Sequence, residues 1–207
     1  MNIKPILFNT EMVRAILDGR KTVTRRLVKP RYVLDADNNP HFFSRAEGNL
    51  FVWEDRPYIK TAIKQPYLPG DILYVRETWA HPSAAEIANG ADPEMYLYKA
   101  DPLHRAAWDK WRPSIHMPKE AARIFLRVTD VRVERLQNIT GDECPSEGVP
   151  LYSGPVGGRE ACYRFCFADI WDDTIKPSDL DDYGWSANPW VWVIKFERCE
   201  KPKEALW

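Results

Sequence analysis

Lys21, Thr24, Arg25 and Arg26 lie within six residues of one another, in the stretch Gly19-Arg20-Lys21-Thr22-Val23-Thr24-Arg25-Arg26. These residue types suit attack at a carbonyl or phosphoryl centre. A threonine hydroxyl is a weak nucleophile until a neighbouring base takes its proton. Lysine is such a base only where its pKa falls well below about 10.4, and burial beside arginines pushes it that way. A lysine that keeps its charge instead stabilises an oxyanion. The guanidiniums of Arg20, Arg25 and Arg26 suit phosphate. The plainer reading is a solvated basic turn, because Lys and Arg ordinarily face water.

Two elements must hold these side chains. Met12, Val13, Ile16 and Leu17 recur at the spacing of one helical face, which predicts a helix over Thr10 to Asp18. Asn9 or Thr10 is placed to cap it, and Gly19 to end it in a left-handed turn. Thr22 to Val28 is rich in β-branched residues and reads as a strand. Lys21 then falls at the helix-to-strand corner, with Thr24 and Arg26 on one strand face and Arg25 on the other. Further on, Leu68-Pro69-Gly70-Asp71 is a turn and Ile72 to Trp79 a strand. Leu73, Val75 and Glu77 share one face of it, and Ile72, Tyr74 and Arg76 the other. With the Leu73/Val75 face inward, Glu77 is a buried carboxylate that needs a partner. An ion pair with an arginine is one way to supply it.

The corner resembles the signature of the ASCH superfamily, whose fold is similar to that of PUA domains. That signature is a Gly-x-Lys followed by an Arg five residues after the Lys, here Gly19, Lys21 and Arg26. The position two before that Arg is often Glu in the family and is Thr24 here. Lys21 with Thr24 resembles the small amidohydrolases of the superfamily that deacetylate N4-acetylcytidine. The resemblance continues through the Gly-Asp turn, apolar strand and acid at Gly70, Asp71, Val75 and Glu77, and it implies Glu77 as the third catalytic residue. The Lys4-to-Arg26 start, the Trp111-to-Pro118 loop and the Trp190-to-Glu197 tail resemble the longer members found in phages and prophages.

The rest of the chain bounds the setting. Its 207 residues predict one domain, 1–207, with insertions at 30–67 and 81–112. With 44% apolar residues, 9 Trp, 9 Tyr and 8 Phe, the composition suffices for a real core and excludes wholesale disorder. Charge is balanced at 29 basic against 30 acidic residues, but seven basic residues fall between Arg14 and Arg31 against Asp18 alone. A phosphate responds to that local field. The Met1-to-Phe8 start has no apolar run of signal-peptide or membrane-span length. Cys144, Cys162, Cys166 and Cys199 fit neither a disulfide framework nor a zinc site, so free thiols in a cytoplasmic protein are expected.

The periodicities predict further elements. Lys4 to Phe8 is a first strand; Ile124/Leu126/Val128 and Val131/Val133 form a core strand or hairpin, with Thr129-Asp130 as a bend or bulge between its halves. Thr140 with Glu143 makes a capping box before one or two turns cut short by Pro145. Glu160 to Asp172 is a helix with Tyr163, Cys166, Phe167 and Ile170 on its core stripe, and Trp190 to Glu197 is the last strand. Asp35 to Pro40 is a turn, and Gly154 to Gly158 a loop without the context of a phosphate-binding motif. Several strands with about three short helices predict an α+β fold, a small mixed β-barrel of PUA-like type with long insertions.

Function follows as an ordered pair of expectations. The first is an amidohydrolase acting on N4-acetylcytidine-type nucleosides, using Lys21, Thr24 and Glu77 without cofactor or metal. Either Lys21 or Glu77 serves as the base in this scheme. Arg20, Arg25, Arg26, Tyr74, Trp79 and His116 are the candidate substrate contacts, although a lone His is more often structural. The alternative is an RNA or modified-nucleotide reader, or a ribonuclease, on the same basic pocket, with Trp79 or Tyr74 stacking a base.

Overall fold

Asn9 accepts the backbone N–H of Met12 through its side chain at 2.9 Å and so starts the first helix. Gly19, at φ +74°, ends the turn after it. The computed structural model describes residues 2–28, 43–45, 50–56, 59–102, 110–151 and 158–203, with 43–64 as backbone only. The elements are β1 (Ile3–Leu7), α1 (Thr10–Leu17), β2 (Val23–Leu27), β3 (Phe43–Arg45), β4 (Leu50–Arg56), β5 (Ile59–Lys64), β6 (Ile72–Arg76), β7 (Trp79–Ala80), α2 (Ala84–Ala88), β8 (Leu97–Tyr98), β9 (Phe125–Arg135), α3 (Arg159–Asp172), α4 (Leu180–Tyr183) and β10 (Trp190–Cys199). The Asp35–Pro40 turn and residues 154–157 of the expected loop lie outside the described residues.

Five strands form a mixed sheet in the order β1-β6-β9-β10-β2, parallel between β1 and β6 and antiparallel elsewhere. β3, β4 and β5 form a separate antiparallel meander, and β7 pairs with β8. The expected barrel is therefore corrected: among the described residues β1 and β2 share no ladder, and the sheet stays open. Its two edges nevertheless approach. The Arg26 side chain of β2 donates to the Leu7 carbonyl of β1 at 2.7 Å, and α1 spans the gap. A side chain and a helix stand where a barrel would have a backbone ladder.

Curvature comes from the bulge expected near Thr129. Lys195 faces Asp130 while Phe196 faces Val128, so Thr129 is the extra residue. The slip lets Leu126/Val128 and Val131/Val133 share one face. That face packs with Ile6, Phe8, Val13, Ile16, Leu73, Val75, Trp192 and Ile194 into the main core. The opposite face at the β10–β2 end is covered by α3 through Tyr163, Phe167 and Trp171, against Val191 and Val193. A third cluster holds Ile72, Tyr74, Trp79 and Phe125. The strand expected to run to Trp79 stops at Arg76, and a short separate strand, β7, begins at Trp79. The Glu77 carboxylate meets Arg123, and the Thr78 carbonyl accepts the Lys99 N–H.

Asp71 ties the start of β1 to the turn before β6. It is 3% exposed and accepts Asn2 N, Leu68 N and Lys4 Nζ at 3.1, 3.1 and 2.7 Å. Burial works to raise its pKa, but these donors outweigh it and hold the carboxyl below its ordinary value. A depressed folded-state pKa gives stability that is full above the unfolded value and is lost as pH falls through the folded one. Asp71→Asn is expected to cost about 2 kcal/mol near neutral pH. The deficit should vanish at strongly acidic pH, as read by urea unfolding across a pH series.

Candidate functional site

Lys21 emerges from the α1 corner into protein, not water: its side chain is 3% exposed. Nζ donates to the Val23 carbonyl at 2.8 Å, the Glu147 carbonyl at 2.5 Å and Glu147 Oε2 at 3.0 Å. Each ammonium proton thus has an acceptor. Burial is the main force lowering the Lys21 pKa; Glu147 opposes it, and the Arg26 and Arg25 charges add to it. Glu147 shows the converse balance. Burial works to raise its pKa, but Lys21 and Arg25 outweigh it and keep the carboxylate ionised.

Arg25 is bound still more tightly. NH1 meets Glu147 Oε1 at 2.9 Å, and NH2 meets Glu134 Oε1 at 2.7 Å and Glu143 Oε2 at 3.2 Å. Arg132 joins the same network, with Nε to Glu134 Oε2 at 3.1 Å and NH2 to Glu143 Oε1 at 3.4 Å. Glu143 also accepts the Thr140 N–H, one of the two contacts of the expected capping box, and leads into the 3-10 turn Cys144–Glu147, which has no side-chain cap of its own. Gly148 follows at φ +100°. A Cβ there would lie 2.9 Å from Met12 Sδ, so only glycine lets the turn seat Glu147 against α1.

Lys21, Thr24, Arg25, Arg26 and Glu147 line one wall of a cavity of about 180 Å³. Leu7, Phe8, Asn9 and Met12 around the β1–α1 junction, with Phe167, Ile170 and Trp171 of α3 and Thr174 just beyond it, supply the rest. The cavity runs along the free edge of β2, so it gathers side chains from both faces of that strand. Thr24 is 4% exposed, and its hydroxyl makes no hydrogen bond among the described residues. Lys21 Nζ and the Arg26 guanidinium stand over the Phe8 ring at 5.6 and 5.3 Å.

The remaining expected residues lie apart from this wall. Glu77, 1% exposed, does not line the cavity; Arg123 Nε and NH2 hold its two oxygens at 2.9 and 3.0 Å. Burial raises its pKa while Arg123 draws it back. The ion pair with an arginine that its inward parity allowed is the arrangement present. Tyr74 and Trp79 are core residues, Trp79 packing on His81, Tyr96 and the Arg112 guanidinium. His116 is exposed on the 3-10 turn Ser114–His116. Arg20 is half-buried beside the cavity, with NH2 on Asp18 at 3.3 Å and NH1 on the Gly148 carbonyl at 3.4 Å. Of the expected basic clamp, only Arg26 combines a place on the cavity wall with freedom from carboxylates among the described residues.

Sequence reasoning missed Glu147 and Trp171. Nothing local sets Glu147 apart from the other acids, since its role depends on Lys21, 126 positions away. Trp171 was legible in principle, lying one helical step past the Tyr163/Phe167 stripe. Among the described residues no cluster is arranged to hold a metal ion, and no helix is long and apolar enough to cross a membrane.

No protein-family model and no curated protein matches the chain. Among solved structures, the chain is similar to the crystal structure of an ASCH domain from Lactobacillus crispatus JV V101. The identity is 11% and the TM-score 0.38, over 95% of this chain and 79% of that one. A likeness that slight carries neither fold nor function, which must rest on the residues themselves.

Proposed function

We propose that this chain is an ASCH-type amidohydrolase that removes a short acyl group from the N4 nitrogen of a cytosine nucleoside. The observation that carries the reading is an unengaged Thr24 hydroxyl sharing a cavity wall with a buried lysine of lowered pKa. The cavity of about 180 Å³ has room for a pyrimidine ring, since one of roughly 150 Å³ already accepts benzene, and the ribose would then lie outside it. Phe167 and Trp171 offer the base aromatic surface.

In this mechanism neutral Lys21 takes the Thr24 proton as Oγ1 bonds to the acyl carbon. A neutral amine gives up one of its three acceptors, which frees a lone pair for that proton. The resulting ammonium stabilises the oxyanion and then protonates N4 as the C–N bond breaks. Water hydrolyses the acyl-threonine ester, returning the hydroxyl and releasing the acid. Glu147 and Arg25 keep Nζ in place, and Glu77 serves the fold through Arg123. The experiment follows the absorbance change on deacetylation of N4-acetylcytidine by wild type and Glu77→Gln. Turnover by both is expected. No turnover by wild type sinks the amidohydrolase reading, and loss in Glu77→Gln with the fold intact restores Glu77 to the catalytic group.

A further inference from the structure

The ionic groups around the cavity do not balance. Lys21 is held by Glu147, and Arg25 is shared among Glu147, Glu134 and Glu143, with Arg132 bridging the last two. With Lys21 in its resting, protonated form, these three cations meet three carboxylates. Arg26 is a fourth cation on the same wall, and it has no carboxylate within ion-pair distance among the described residues.

Its placement is also ordered. The Leu7 carbonyl fixes NH2 at 2.7 Å, and the Phe8 ring lies under the guanidinium at 5.3 Å. Arg26 is the exposed residue of this group while Lys21 and Thr24 are buried, although packing around its guanidinium lowers its pKa, and its remaining N–H groups have no protein acceptor among the described residues. A pre-positioned guanidinium with open donors is suited to bidentate binding of phosphate. One such cation beside a ring-sized cavity matches a base that carries a ribose phosphate.

We infer that Arg26 forms an anion subsite at the mouth of the cavity, and that a cytosine nucleotide bearing a ribose phosphate is bound in preference to the free nucleoside, which the base pocket still accepts. The inference rests on the base-binding reading for the cavity, but the anion subsite stands on the charge arrangement alone. Because one cation is involved, the salt dependence of binding is shallow, with a log–log slope of about −0.7. A strand clamp of several phosphates would be several times steeper.

The test titrates wild type, Arg26→Gln and Arg26→Lys with cytidine, cytidine 5′- and 3′-monophosphate, and ribose 5-phosphate. Binding is read by calorimetry, with circular dichroism to check each fold. In wild type one monophosphate should bind about tenfold or more tighter than cytidine. Arg26→Gln should erase that preference, bringing monophosphate affinity down to that of cytidine in the same variant, and Arg26→Lys should restore part of it. Equal affinity for cytidine and both monophosphates in wild type overturns the subsite and leaves the base pocket standing. A preference that survives in folded Arg26→Gln overturns it too. Ribose 5-phosphate binding that depends on Arg26, without cytidine binding, keeps the subsite and removes the base reading. If none of the four ligands binds, both fall.

Discussion

Thr24→Ala is expected to lower deacetylation of N4-acetylcytidine by roughly 10⁴-fold or more, the scale on which nucleophile removal acts when residues work as a unit. The fold should scarcely register the change. The Thr24 hydroxyl has no hydrogen-bond partner among the described residues, so its loss strands no donor or acceptor. What disappears besides oxygen is one methyl at a cavity wall, a cost of about 1 kcal/mol at most. Thr24→Ser keeps the hydroxyl but loses the restraint of the branched Cβ on χ1, so it should retain a measurable fraction of the rate. Single-turnover absorbance assays beside thermal melts separate the outcomes. A wild-type rate in folded Thr24→Ala would mean that water attacks the acyl carbon directly.

The features legible in the sequence were those written in short-range pattern. The Asn9 cap, the Gly19 stop and the β-branched run after Lys21 placed the corner where the structure has it. The two-part alternation from Ile124 to Val133 marked a bend or bulge between its halves, and of these the structure has the bulge. Barrel closure was not legible in the same way. Whether β1 and β2 pair depends on how far a bent sheet carries its edges round, and Arg26 bridges the distance that remains. The acid beside Lys21 was hidden for a related reason. Glu77 had the inward parity of a site residue, but Arg123, 46 positions on, claims it. Glu147 had no periodicity to mark it, and only the turn seated by Gly148 against α1 brings it to Nζ. Ion pairing at long sequence separation is a tertiary fact, and strand parity gives only the candidates.

Glu147→Gln should cost more stability than either Asp71→Asn or Thr24→Ala, and with a distinctive pH signature. The side chain is 5% exposed and both oxygens are engaged, one by Lys21 and one by Arg25. Removing the charge leaves two buried cations facing an amide. Breaking such a pair costs about 3–5 kcal/mol, which corresponds to a Tm drop of roughly 10 °C in a chain of this size. The sign with pH follows from Lys21. Its folded-state pKa already lies below the ordinary lysine value, chiefly through burial, with Glu147 the main influence raising it. Without the carboxylate the folded value falls further. Between that value and the ordinary lysine pKa the unfolded chain binds more protons, so stability rises with pH. The deficit of Glu147→Gln is therefore expected to be full below the variant's folded Lys21 pKa, to shrink as pH rises from that value to the higher wild-type folded value, and to stay level above it. An uncharged packing defect would instead give a constant deficit. The same shift should move the acid limb of the kcat/KM profile to lower pH, because Lys21 becomes neutral sooner. Urea unfolding and pH–rate profiles of wild type and Glu147→Gln check both. A pH-independent deficit with an unmoved acid limb would show that Glu147 only packs, and that Lys21 is not the base.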